Sequence, residues 1–290
     1  NGVGKTTLVR MILGIVEPDR GRIRLFDEAR RADHGRRIGY LPEERGLYPR
    51  VRVDDQLLYF ATLKGVPLAE ARPRLDEGLA LLGLSDWKRR RVRELSKGMT
   101  QQVQILAAML HNPDLLFLDE PFVGLDPINR ARVESLIRAA VGEGKTVVLS
   151  THQMDQVESL CDRVLLMNAG RILLDGPVQA LKARFRDETV WVGIATEFPE
   201  LREVASARLE PGPEGRGPLY RVRLREGIRP GSLLGTLVNR GYDVQYFAAA
   251  EPRIEEIFVR AVTQDDLRDE PPPVSRAGRP RGLVVRGGVR

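Results

Sequence analysis

From Val9 to about Lys182 the chain alternates short aliphatic runs with longer stretches in which apolar residues recur at helical spacing. That alternation predicts an α/β unit with a largely parallel sheet. Residues 114–118 and 145–150 are the clearest buried strands. Between them, residues 129–141 place Ala131, Val133, Leu136, Ile137 and Ala140 at helical spacing and then meet Gly142, a helix stop. A strand, helix, strand unit of this kind buries both faces of its sheet. Residues 54–84 read as helix, first through Leu57, Leu58, Phe60 and Ala61 and later through Leu75, Leu79 and Leu82, with a break at Gly65-Val66-Pro67. This predicts a helical insertion into the α/β unit.

The pattern changes after Phe185. Residues 189–194, 207–209, 220–224 and 244–247 read as strands, and 199–205 and 232–240 as helices. The resulting order, β-α-β-β-α-β, is the split βαβ of ferredoxin-like folds, with a final helix over 253–262 packing on it. Beyond Thr263 the chain turns to Asp, Arg, Gly and Pro, including Pro271-Pro272-Pro273, with no apolar period. The expected plan is an α/β domain over 1–185 with a helical subdomain at about 52–98, a small α+β domain over 186–263, and a basic, disordered tail over 264–290.

Composition narrows the class. Of 290 residues, 42% are apolar and 30% charged, as in a globular protein with a sizeable core. No apolar run approaches the roughly 20 residues that cross a bilayer, so work at a membrane is expected from its surface. The chain opens on Asn-Gly-Val-Gly-Lys, without a secretory signal pattern, and its single cysteine, Cys161, excludes an internal disulfide and a Cys-based metal cluster. Both features suit a reducing cytosol. The net charge is +6, but six Arg against Asp269 and Glu270 put +4 of it beyond residue 267. The folded part is nearly balanced, so no nucleic-acid partner is expected.

Asn1-Gly2-Val3-Gly4-Lys5, followed by Thr6 and Thr7, has the wording of the back half of a P-loop. Its glycines let backbone N–H groups face phosphate, Lys5 reaches the β- and γ-phosphates, and Thr6 holds Mg²⁺. The helix that follows, from Thr7, aims its N-terminus at the anion. A solvated loop is the plain alternative for so short a match. Leu115-Leu116-Phe117-Leu118-Asp119-Glu120 is an apolar strand ending in two carboxylates, which puts Asp119 at the metal and Glu120 where it polarises a water in line with the γ-phosphate.

Leu95-Ser96-Lys97-Gly98-Met99, about 20 residues before Asp119, resembles the signature motif of ABC ATPases. Lys97 and Met99 depart from the commonest LSGGQ form, while Ser96 and Gly98, the phosphate-touching positions of the family, are kept. Gly124-Leu125-Asp126 is similar to the family's D-loop, and His152 to its switch histidine. The resemblance spans residues 1–176. It implies ATP and Mg²⁺ as ligands and a head-to-tail dimer, a homodimer or a heterodimer with a second ABC ATPase subunit. In that dimer Ser96 and Gly98 close on the nucleotide held by the other subunit, His152 contacts the γ-phosphate, and Asp126 links the two sites.

Ile38-Gly39-Tyr40-Leu41-Pro42-Glu43 aligns with the segment where most members place a Gln that senses Mg²⁺ and connects to the membrane subunit. Glu43 stands there instead, and a carboxylate remains a good hard-metal ligand. The continuation Glu44-Arg45-Gly46-Leu47-Tyr48-Pro49 is similar to a subgroup of ABC-2-type exporters resembling bacterial sodium-export ATPases, and the C-terminal unit to the accessory domain of such systems. Translation-factor types carry two nucleotide domains per chain and chromosome-maintenance types long coiled coils, neither present here. The resemblance therefore implies an ATPase subunit on the inner face of the cell membrane, driving export through a separate ABC-2-type permease. Its first P-loop glycine would precede Gly2 by three residues, and the family's adenine-stacking aromatic lies further upstream. The 290-residue chain is thus expected to bind ATP weakly and to be poorly soluble. The rival expectation is a catalytically impaired, truncated ABC protein with a binding or regulatory role.

Overall fold

The computed structural model describes residues 4–44 and 46–266. Asn1, Gly2 and Val3 of the predicted phosphate loop, and residues 267–290 of the predicted tail, lie outside the described residues. The chain forms two compact units, one reaching to Val178 and the other over Gln179–Thr263.

In the first unit, α1 (Lys5–Leu13) starts from Gly4 and stops at Gly14, both in the left-handed region at φ 96° and 75°, where a side chain is strained. Two short strands, β1 (Arg24–Leu25) and β2 (Glu28–Ala29), form a hairpin over Phe26 and Asp27. Then come β3 (Ile38–Leu41), α2 (Val53–Leu63), α3 (Leu68–Leu81), α4 (Lys97–Met109), β4 (Leu115–Asp119), α5 (Pro127–Gly142), β5 (Thr146–Ser150) and α6 (Met154–Leu160). A hairpin of β6 (Arg163–Asn168) and β7 (Arg171–Pro177) follows, turning on Ala169 and Gly170, both at positive φ.

The strands β3, β4 and β5 pair in parallel, in that order. Every residue of β4 is buried, because alternate side chains enter two different cores. Leu116 and Leu118 pack into the larger one and Leu115 and Phe117 into the other, with Ile12 and Ile38. This explains an unbroken apolar run where a half-exposed strand would alternate. The helical insertion adds no core of its own: Leu57, Leu75, Leu79 and Leu82, at most 1% exposed, share the larger core with Val133 and Ile137 of α5. Each such side chain contributes about 1.5–3 kcal/mol. The break between α2 and α3 falls at Gly65, in the left-handed region at φ 86°. At the far end of α5 the helix includes Gly142, and the left-handed stop is Gly144.

The second unit holds α7 (Val178–Arg184), β8 (Thr189–Ile194), β9 (Val204–Pro211), β10 (Pro218–Leu224), α8 (Pro230–Asn239), β11 (Val244–Ala249) and α9 (Ile254–Asp266). Its sheet is antiparallel throughout, in the order β11-β8-β10-β9. One face packs Val190, Val192, Val222 and Leu224 against Leu233 and Leu237 of α8. The helix expected over 199–205 is absent, so the β-α-β-β-α-β order is corrected there. Nine residues separate Ile194 from Val204, and a crossover between parallel strands takes a dozen or more when it contains a helix. The segment instead lays Phe198 and Leu201 on the core and enters β9 at Val204. Likewise α9 continues to Asp266, past the expected start of the tail.

Gly39 of β3 gives a test of this packing. An added Cβ would stand 2.1 Å from the Ala108 carbonyl oxygen of α4 and 2.7 Å from Leu116. Gly39→Ala is expected to destabilise the first unit by about 1–3 kcal/mol through overpacking. Gly142→Ala, which meets nothing within 4 Å, is expected to be neutral or to stabilise by up to about 1 kcal/mol. Urea unfolding read by hydrogen exchange in β3 and β4 checks both, and equal midpoints for the two variants would contradict the packing.

Candidate nucleotide site

In an open parallel sheet, ligand-binding groups gather beyond the carboxyl ends of the strands. Here the register Leu41↔Leu118 and Asp119↔Ser150 brings the ends of β3, β4 and β5 level. Asp119 is buried, at 5% exposure, so its carboxylate needs partners. It accepts hydrogen bonds from the Ser150 hydroxyl at the end of β5 and from Thr6 Oγ1, at 3.3 Å, in the first turn of α1. A hydroxyl at a helix N-terminus thus meets a buried carboxylate.

The next residue, Glu120, leaves the strand with φ 48°, uncommon for a side-chain-bearing residue. Its N–H donates to the Ser150 carbonyl, at 3.0 Å. The turn aims its side chain, only 10% exposed, at two partners: His152 Nδ1 lies 2.7 Å from Glu120 Oε1, and Lys5 Nζ lies 3.9 Å from the same oxygen. Of the predicted residues, Lys5, Thr6, Asp119, Glu120 and His152 therefore converge on one strand edge. Thr7 follows on α1 with an exposed side chain, and Glu43, also exposed, stands two residues past β3. No hydrogen bond or ion pair joins either of them to the two carboxylates among the described residues. Tyr40, on β3, sits close enough to feel the site: burial, and then the Asp119 charge, push its phenol above the ordinary range.

The described residues hold no cluster of three or more His, Cys, Asp or Glu that would hold a metal unaided. Thr6 Oγ1 and the Asp119 carboxylate are hard oxygen donors side by side, the sparse protein set that suits Mg²⁺ arriving with phosphates.

Ser96 and Gly98 lie elsewhere, at the start of α4. Ser96 is the N-cap, its Oγ accepting from Met99 N at 3.2 Å. A Cβ on Gly98 would touch the Gly124 carbonyl oxygen at 3.5 Å and Leu125 at 3.6 Å, so this loop rests on the Gly124-Leu125-Asp126 turn. Asp126 caps α5 by accepting from Ile128 N and Asn129 N, both at 3.0 Å. The Asn129 N–H is the main cause of a carboxyl held below the usual range. Asn129 also donates from Nδ2 to Asp126 Oδ2 at 2.5 Å and accepts on Oδ1 from Gln102 of α4, at 3.2 Å, and from Arg132. Arg132 in turn donates to the Leu82 carbonyl at 3.2 Å.

The sequence does not single out Ser150, Asn129 or Gln102. Ser150 carried a usable signal, a polar residue closing an apolar strand two positions before His152. Asn129 and Gln102 carried none, because one reads as a helix surface and the other as one polar residue among several after the signature.

Residues 1–123 match the ABC transporter family. An ABC transporter ATP-binding protein of Alkalihalophilus pseudofirmus is 34% identical over 264 residues, covering 90% of this chain and 97% of the relative. The daunorubicin resistance ATP-binding protein DrrA3 of Streptomyces coeruleorubidus is 39% identical over 282 residues, 92% of this chain and 86% of that protein. A solved structure of the ATP-binding subunit of an ABC transporter superposes with a TM-score of 0.60 at 31% identity, over 64% of this chain and 78% of its own. The three-stranded parallel core with its helical insertion has the fold of an ABC-type nucleotide-binding domain, and the chain belongs to the ATP-hydrolysing ATP-binding proteins of ABC transporters.

Proposed function

We propose that the carboxyl edge of β4 and β5 is the hydrolytic centre, and that the chain powers export through a separate ABC-2-type permease by ATP-driven dimerisation. The observation that carries this reading is the convergence of Lys5, Thr6, Asp119, Glu120 and His152, from three distant stretches of sequence, on one strand edge. Lys5 and the first-turn N–H groups of α1 take the phosphate charge of ATP. Glu120 accepts the proton of the attacking water, and His152, hydrogen-bonded to it, fixes its direction and reaches the γ-phosphate. Thr6 and Asp119 are the Mg²⁺ ligands, with Glu43 as a third oxygen donor. Mg²⁺, when bound with the nucleotide, offsets phosphate charge. Asn1, Gly2, Val3, Gly4 and Thr7 complete the phosphate loop in this reading.

Ser96 and Gly98 serve the nucleotide of the other subunit in a homodimer or heterodimer, with Asp126 between the two sites. Exposed Val123 and Ile128, at 41% and 68%, flank that turn and supply apolar contact area for such a partner. Support for the permease lies beside Glu43: a cavity of about 340 Å³ lined by Pro42, Leu47, Phe60, Leu63 and His111. Leu63, at 63% exposure, and Tyr59, at 53%, extend that apolar surface along α2. No helix among the described residues is long and apolar enough to cross a membrane, and the proposed place of work is the inner face of the cell membrane. The export assignment takes its direction from the daunorubicin resistance relative. Residues 186–263, within the second unit, are proposed as a ferredoxin-like accessory domain whose first crossover is irregular, a reading supported by the β11-β8-β10-β9 order.

Substitutions at two positions test the chemistry and the dimer separately. Glu120→Gln is expected to leave ATP affinity intact and to lower single-turnover hydrolysis by about 10² or more, the scale of losing a positioned base. It should also trap an ATP-bound dimer. Near-parental turnover would falsify the role of Glu120. Ser96→Arg is expected to abolish ATP-driven dimerisation while the monomer still binds ATP, and Ser96→Asp, which keeps the helix cap, should do the same by charge repulsion. Sedimentation with and without ATP decides this, and a parallel fall in monomer affinity for both variants would place Ser96 in its own subunit's site.

A further inference from the structure

The sheet of the second unit has one face sealed by α8, while α9 covers only part of the other. What stays open is a cavity of about 540 Å³ over β9 and β10, floored by Ser206, Arg208, Arg221 and Arg223 and walled by α9. The register sets Arg208 directly opposite Arg221 and Ser206 opposite Arg223. Three guanidinium groups therefore share one face of two neighbouring strands, and like charges directly opposite destabilise a sheet.

The carboxylates around the cavity offset Arg221 but leave Arg208 and Arg223 unpaired among the described residues. Glu256 is committed to Arg221 by two hydrogen bonds, one of 2.8 Å. Glu210 pairs with Arg253 at 2.7 Å, and Asp187 with Arg260. Neither Arg208 nor Arg223 comes within ion-pair distance of a described carboxylate, although Arg223 feels the charge of Asp187. Glu255, in the first turn of α9, is the one other acid in the lining. Arg221 Nε is buried with no hydrogen-bond partner among the described residues.

We propose that this cavity is a binding site for a small phosphate monoester, held by Arg208 and Arg223 and separate from the nucleotide edge of the first unit. A dianionic phosphate offers three oxygens to the planar guanidinium forks of Arg208 and Arg223 and accepts from the Ser206 hydroxyl. The volume falls in the range of small-molecule sites, roughly 300–1,000 Å³, so the phosphate carries an organic part. Val259 of α9, 55% exposed in the lining, gives that part an apolar contact. The site would make the second unit a sensor of a phosphorylated metabolite.

Calorimetric titration of the full chain with glycerol phosphate, at constant ionic strength with chloride as the control anion, tests this. Titrations run in a Lys5→Ala background remove the contribution of the nucleotide edge. Saturable binding is expected to persist in that background and to weaken tenfold or more on Arg208→Ala or Arg223→Ala. Arg208→Lys, which keeps the charge and loses the fork, is expected to fall between. Because Arg208 is exposed on an edge strand, its replacement leaves the fold intact, as circular dichroism would register. Absence of saturable binding in the Lys5→Ala background, or unchanged affinity in both arginine variants, overturns the proposal. So does a response to phosphatidic acid vesicles with none to glycerol phosphate, which would make the face a membrane contact.

Discussion

The first unit depends on the pairing of β4 with β5 that sets Asp119 opposite Ser150. β4 is apolar on both faces, so charge can enter only where the strand ends, and the register decides what that end faces. Asp119 is fixed by Ser150 on the neighbouring strand and by Thr6 on the helix that begins the unit. Glu120 then has to turn out of the sheet, and its left-handed backbone, costing roughly 1–2 kcal/mol outside glycine, is held by the bond from its N–H to Ser150. The strain sits at the residue with the most demanding placement. A slip of one residue in this ladder would exchange the two cores and remove both carboxylates from Lys5 and Thr6.

The same unit links the strand edge to its helical insertion by a short polar path. Asn129 bonds at once to Asp126, Gln102 and Arg132, and Arg132 reaches the end of α3. The cap of α5, the helix behind Ser96 and the insertion thus share one side chain. The insertion and the sheet also share one apolar core, and the Gly124-Leu125-Asp126 turn lies against the start of α4, where the signature residues stand. The second unit has a different logic, with one sheet face apolar and sealed and the other charged and partly open.

Much of this was legible in the sequence where a residue's role follows from strand or helix period. The strand ending at Asp119-Glu120 and the interrupted helix pair broken at Gly65 are written in apolar spacing and in one glycine. The signature and P-loop wording point to Ser96, Lys5 and Thr6. The His152–Glu120 contact and the part played by Ser150 depend on how two parallel strands align, which spacing along one chain does not fix. The missing helix at 199–205 has another cause: Phe198, Leu201 and Val204 repeat every three residues, as a helix would, but the connection is too short to hold one. The Arg208–Arg221 opposition arises from antiparallel register alone.

Glu120 and His152 are proposed to act as one unit at the strand edge. The most direct test is a double-mutant cycle of Glu120→Gln and His152→Ala, read in single-turnover ATP hydrolysis at saturating nucleotide. If the 2.7 Å contact makes the two residues one device, the double variant should be no slower than Glu120→Gln alone. Losses that multiply, so that the double variant falls below either single one by the full product, would show that the two residues work independently and would rule out a shared device.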